Sequence, residues 1–143
     1  MHEFMKGATS ASKRSLSFSD SIVNSLPQAI QKGLPADIAV VEVSEKESWR
    51  LNRAYRGKDK PADVLSFRYD PEYGEIIICP GVIRREAKIQ KHSFEYQLAW
   101  MIVHGIIHLA GLHHEASIVS ARRAERIEQR ILDKLFKESR SKD

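Results

Sequence analysis

The sequence contains a single cysteine, Cys79, so it can form no intramolecular disulfide and no multi-cysteine zinc module, in keeping with a reducing compartment. Any transition-metal site must therefore draw on histidine. Long apolar runs are also missing. The most hydrophobic stretch, Leu98 to Ala110, is cut by two histidines and falls short of the roughly 20 residues that a membrane span needs. The first residues lack the apolar core of a signal peptide, since Met1 to Ser17 scatters Glu3, Lys6, Lys13 and Arg14 among small polar residues. No repeat or low-complexity segment occurs. A cytoplasmic protein without membrane contact is expected. Neither charge sign dominates strongly: the formal charge is +4 and the isoelectric point about 9.3, which favours polyanions without identifying one. With 143 residues and 42% hydrophobic content, the chain suffices for one core.

Residues 1–12 are small and polar without periodicity and read as a flexible tail, leaving 13–143 as one domain. Alternation around Leu16 and Phe18 suggests an edge strand. Ser19 then serves as the N-cap of a helix carrying Ile22, Val23, Leu26 and Ile30, bent or split by Pro27. Asp37 to Ser44 is β-branched and reads as a strand, and 45–55 as a helix. Two further strands, Asp63 to Tyr69 and Glu75 to Cys79, flank a turn containing Asp70, Pro71 and Gly74, which predicts a hairpin. Helices follow at about Val82 to Gln90, Ser93 to Ala110 and Ile118 to Phe136, the last with Ile127, Ile131 and Leu135 on one face. The expected fold is α+β: a small mixed sheet of about four strands packed with about five helices.

Ser93 to Ala110 is apolar nearly all round and should be the central helix. Into it are set His104 and His108. Residues four apart share a helix face, which lets two imidazoles converge on one ion. Gly111 then stops the helix and allows the chain to fold back, bringing both His113 and His114 within reach as a third ligand. Three neutral nitrogens leave a tetrahedral zinc one open position for water, as in a catalytic site, and lower that water's pKa to roughly 7. A lone histidine in an apolar helix is usually a hydrogen-bonded core residue. Here four of the six histidines fall between positions 104 and 114, leaving only His2 and His92 to be assigned to solvent. Position 105 is glycine, where the H-E-x-x-H metallopeptidase helix carries its general base, so that chemistry lacks its base here.

The run HGIIHLAGLHH, His104 to His114, resembles the H-G-x-L-H-L-x-G-Y-D-H signature of the YbeY-type rRNA maturation endoribonucleases. The upstream run LNRAYRGKDKPADVLSF, Leu51 to Phe67, is similar to that family's second signature, L-N-x-x-Y-R-x-K-D-x-P-T-D-V-L-S-F. A weaker third match, Gly74 to Cys79 with Glu86-Ala87 downstream, extends the likeness over most of 37–135. The resemblance implies a single-strand-specific, metal-dependent endoribonuclease acting in rRNA maturation, at the small-subunit rRNA 3′ end, and in ribosome quality control. Its implied partners are rRNA, the small ribosomal subunit and assembly factors. By position it makes His104, His108 and His114 the metal ligands and Arg56 the functionally important arginine. The chain departs from the signatures at Ala62, Glu75, Leu112 and His113.

Arg56 suits a phosphodiester because a guanidinium binds anionic oxygens bidentately and stabilises charge as the trigonal bipyramid forms. Around it lie Arg50, Arg53, Lys58, Lys60 and Arg68, interleaved with Trp49, Tyr55, Phe67 and Tyr69, a mixture suited to backbone contacts and base stacking. Taken alone this pattern is equally that of a solvated helix face. Ser66 either meets a phosphate or bonds backbone. Asp59 reads as a turn former in preference to a partner for Arg56, and Cys79 as a buried small hydrophobe in preference to a nucleophile. Arg84, Arg85, Lys88 and Lys91 solvate a helix or touch the ribosome. The expected reaction is attack of zinc-bound water on phosphorus, with an RNA 2′-hydroxyl as the alternative nucleophile, distinguished by whether a cyclic phosphate appears. Two other functions compete. A metallopeptidase or amidohydrolase would need a carboxylate near the metal, for which Glu75 and Glu115 are the candidates; a non-enzymatic ribosome-assembly factor would use zinc as a structural staple.

Overall fold

The computed structural model describes residues 9–10, 12–111 and 118–141. Its elements, in chain order, are β1 (Thr9–Ser10), α1 (Lys13–Ser25), α2 (Gln28–Gln31), β2 (Asp37–Glu42), α3 (Glu45–Arg56), β3 (Val64–Asp70), β4 (Tyr73–Ile78), α4 (Pro80–Gln90), α5 (Phe94–Leu109) and α6 (Ile118–Ser141). This is the expected α+β domain.

The sheet order is β1-β2-β4-β3. β2 runs parallel to β4, and both outer pairings are antiparallel. The hairpin joins β3 to β4, which leaves β3 at an edge. Alternation assigns the two sheet faces to two helices. Val40, Val64, Ile76 and Ile78 pack with α5 in the larger core, whereas Leu65, Ile77 and Cys79 pack with Leu51 of α3 in the smaller one. Helix α5 touches β3, β4, α1, α4 and α6 and is therefore the centre of the molecule. Its buried face explains the sequence's most apolar stretch.

The N-terminal segment differs from expectation. Leu16 and Phe18 belong to a helix, not an edge strand, because a 3.6-residue period places the small Ser15 and Ser19 with Ile22 on the buried face, while Leu16 is 44% exposed. The N-cap is Ser12, whose hydroxyl accepts from the Ser15 N–H at 3.2 Å, and not Ser19. The fourth strand is instead β1, from the segment read as tail, paired with Glu42 and Val41. Pro27 splits the first helical segment, so the described residues hold six helices instead of about five.

Candidate metal centre and substrate cleft

Helix α5 is fixed at its start by Ser93, whose side chain accepts from the Tyr96 N–H at 3.1 Å. From Gln97 to Leu109 every position is buried except three, Trp100, His104 and His108. They recur every fourth residue, so they form one open line along a helix otherwise enclosed by protein. The rings of His104 and His108 lie side by side with centroids 4.9 Å apart. Gly111, just past the helix, has φ 90°, the left-handed conformation expected of a helix-ending glycine.

Gly105 explains how close this line lies to the sheet. A Cβ there would meet Ile76 Cγ2 at 3.0 Å, Ser66 Oγ at 3.1 Å and Val64 Cγ2 at 3.3 Å. The Ser66 hydroxyl donates to the Gly105 carbonyl at 3.0 Å, so it serves backbone across two elements. A glutamate at 105 would drive into the sheet, which removes the metallopeptidase base on steric grounds as well as by sequence.

The second signature builds the opposite wall. Helix α3 starts with Ser44 capping the Glu47 N–H at 3.1 Å and ends at Arg56, where Gly57 takes φ 68°. The loop that follows is tied back onto the helix. Asn52 Nδ2 donates to the Lys60 carbonyl at 2.8 Å, the Ser48 hydroxyl donates to the Ala62 carbonyl at 2.6 Å, and Trp49 Nε1 donates to Asp59 at 2.9 Å. These bonds deliver the chain into β3 beside α5. Between the walls lies a cleft of about 370 Å³ lined by Tyr55, Arg56, Val64, Leu65, Ser66, Phe67, His104 and His108. An adjoining space of about 430 Å³ shares Arg56, Val64 and His104 and adds Asp63, Trp100, Met101, Glu125 and Glu128.

The structure thus gathers Arg56, Ser66, His104 and His108 in one cleft. Arg53, Lys58 and Lys60 are exposed and lie outside its lining; Arg53 stacks over Trp49, 5.2 Å from the ring centroid. Arg50 pairs with Glu47, and Arg68 caps the C-terminal end of α5 through the Leu109 carbonyl at 3.0 Å. Cys79 is 1% exposed and burial pushes its thiol up, as a small core hydrophobe requires. His113, His114 and Glu115 lie outside the described residues.

Two expectations need correction. Glu75 cannot serve a metal beside the histidines, because it lies on the Ile77 face of β4, opposite α5. It is fully buried there and accepts from Tyr69 at 2.6 Å and Tyr73 at 3.1 Å. His92 is not simply solvated: its Nδ1 lies 3.0 Å from Gln97 Oε1 and its ring packs on Tyr96 and Trp100.

Sequence reasoning missed two acidic groups beside the histidines. Burial pushes the Asp63 carboxyl above the usual carboxylate range, against a 2.8 Å bond from the Val64 N–H that lowers it. Glu128 of α6, 5% exposed, receives Trp100 Nε1 and engages His104 Nδ1, both at 3.1 Å. The signal for Glu128 was its spacing: Ala124 and Leu132, four residues to either side, are core positions of α6.

A histidine pair on a central helix beneath an edge strand, faced by an arginine, is the site of a candidate metal-dependent hydrolase. A profile of the family described as Endoribonuclease YbeY matches residues 5–136, a span that contains both signatures. Curated relatives named Endoribonuclease YbeY include one from Alkalilimnicola ehrlichii, 41% identical over 68% of this chain and 64% of that protein, and one from Thermotoga neapolitana, 38% identical over 71% and 69%. A third, from Aromatoleum aromaticum, is 38% identical over 87% of this chain and 82% of its own. The solution structure of TM1509 from Thermotoga maritima superposes with a TM-score of 0.61 at 29% identity, covering 93% of this chain and 90% of that one. The chain belongs to the Endoribonuclease YbeY family.

Proposed function

We propose that the protein is a single-strand-specific, zinc-dependent endoribonuclease that matures rRNA at the small-subunit 3′ end and takes part in ribosome quality control. The endoribonuclease class rests on family membership. The observation that carries the zinc reading is the open line on α5, where His104 and His108 face one cleft with Arg56 on its far wall. The residues fit the ion: neutral imidazoles on successive turns are the usual donors of a catalytic zinc site. Among the described residues no third His, Cys, Asp or Glu completes a metal-binding group with them. The proposed third ligand is His114.

A zinc ion held there supplies Lewis acidity and an activated water. The chain's own residues do the rest. Arg56 binds the phosphate oxygens and shares the charge that develops on them. Tyr55, 56% exposed and edge-on to Phe67 at 5.0 Å, offers a ring on which a base can stack, which favours unpaired RNA. Ser66 lines the cleft and holds its floor to α5 through the Gly105 carbonyl. Arg53, Lys58 and Lys60 extend the cationic surface along the RNA backbone. No helix among the described residues is long and apolar enough to cross a membrane. The proposed setting is the cytoplasm, with rRNA, the small ribosomal subunit and assembly factors as partners.

The test is to incubate zinc-loaded protein with an unstructured rRNA fragment and with casein. Cleavage of RNA alone is the expected result. Cleavage of casein would revive the peptidase reading, and cleavage of neither would favour a structural zinc.

A further inference from the structure

Glu128 occupies a position that a helix ordinarily gives to an apolar residue. Ala124 and Leu132 flank it on the same face of α6 at 0% and 2% exposure, with Ile131 at 2%. A carboxylate placed there loses its hydration, a penalty that only good hydrogen bonds or charge offset. Both oxygens are met by N–H groups of the open line on α5: Oε1 by Trp100 Nε1 and Oε2 by His104 Nδ1, each at 3.1 Å. The second contact has a chemical consequence. An imidazole whose Nδ1 hydrogen is held by a carboxylate is fixed as the Nδ1–H tautomer, and the basic lone pair then resides on Nε2.

We infer that Glu128 is the positioning residue that makes His104 a metal ligand through Nε2. This rests on the zinc reading given above and deepens it. The bond fixes the ring's rotation and sets its tautomer, as carboxylate–histidine–metal arrangements do. It also gives α6 a part in the site without donating a ligand. The competing interpretation is that Glu128 only fastens α6 to α5.

The experiment has two readouts. First, long-range ¹H–¹⁵N spectra of the metal-free protein above pH 8 report the His104 tautomer. The expected result is Nδ1–H in the wild type and a loss of that preference in Glu128→Ala; the Nε2–H tautomer in the wild type would overturn the inference without any variant. Second, zinc affinity is measured by competition with a chromophoric chelator in the wild type, Glu128→Gln and Trp100→Phe, with melting temperature as the fold control. Glutamine has one acceptor oxygen for two donors, so Glu128→Gln should weaken zinc binding about 10- to 100-fold. Trp100→Phe removes one fastening bond and should lower the melting temperature while leaving zinc affinity near wild type. Equal zinc affinity in wild type and Glu128→Gln, or equal losses in both variants, would reduce Glu128 to a fastener. A wild type that binds no zinc would overturn the zinc reading itself, whereas the tautomer reports on Glu128 independently.

Discussion

Ser66 and Gly105 are joined by a 3.0 Å hydrogen bond from hydroxyl to carbonyl, and a Cβ on Gly105 would lie 3.1 Å from that same hydroxyl oxygen. The pair sets how closely α5 approaches β3, and so how deep His104 and His108 sit in the cleft. Gly105→Ala gains about 1 kcal/mol of helix propensity but overpacks against Ile76, Ser66 and Val64, typically a penalty of about 1–3 kcal/mol. Overpacking should win. Thermal unfolding should show a lower midpoint and RNA cleavage should fall with it; an unchanged or raised midpoint would mean that the helix can back away freely.

Arg56 ends α3 on the wall opposite the histidines, so it can act on the phosphate without helping to hold an ion. Arg56→Ala should therefore keep the wild-type melting temperature and zinc content while losing roughly 10²–10³-fold in cleavage rate. A variant that arrives without zinc, or cuts at the normal rate, contradicts this division of labour.

The histidine helix, the hairpin and α3 were legible because each carries a strong local signal: an unbroken apolar stretch, a turn rich in proline and glycine, and a capped, charged helix ending in glycine. Leu16 and Phe18 were misread because serine is ambivalent, alternating like the outer face of a strand while also fitting the small buried positions Ser15 and Ser19 of α1. Glu75 is a candidate carboxylate for the metal by residue type, yet the two-residue period of β4 puts it with Ile77, away from α5. Glu128 escaped notice because it lies among Arg126, Gln129 and Arg130, which look like a solvated face. Its role depends on where α6 docks, and that is a tertiary fact.

The buried Glu75 also shapes the alkaline behaviour. Burial first, and then the bond to Glu75, pushes the Tyr73 phenol up to about 12 and raises Tyr69 further. Both values exceed the ordinary phenol value of about 10, so the neutral phenols favour the folded state. Their contribution is complete below pH about 10 and is lost as pH rises through about 12. Ultraviolet titration of phenolate should show two of the four tyrosines ionising late and together with unfolding. Ionisation of all four near pH 10, with the fold intact, would mean that Glu75 does not hold them.

The most direct measurement follows cleavage of an unstructured rRNA fragment while zinc is titrated into protein stripped by a chelator, with bound metal determined at each point. The account predicts that stripped protein is inactive but folded, that cleavage rises in proportion to bound zinc and levels off at one ion per chain, and that His104→Ala and His108→Ala neither bind zinc tightly nor recover activity. Full cleavage by the stripped protein, or zinc bound at one per chain in the histidine variants, would contradict it.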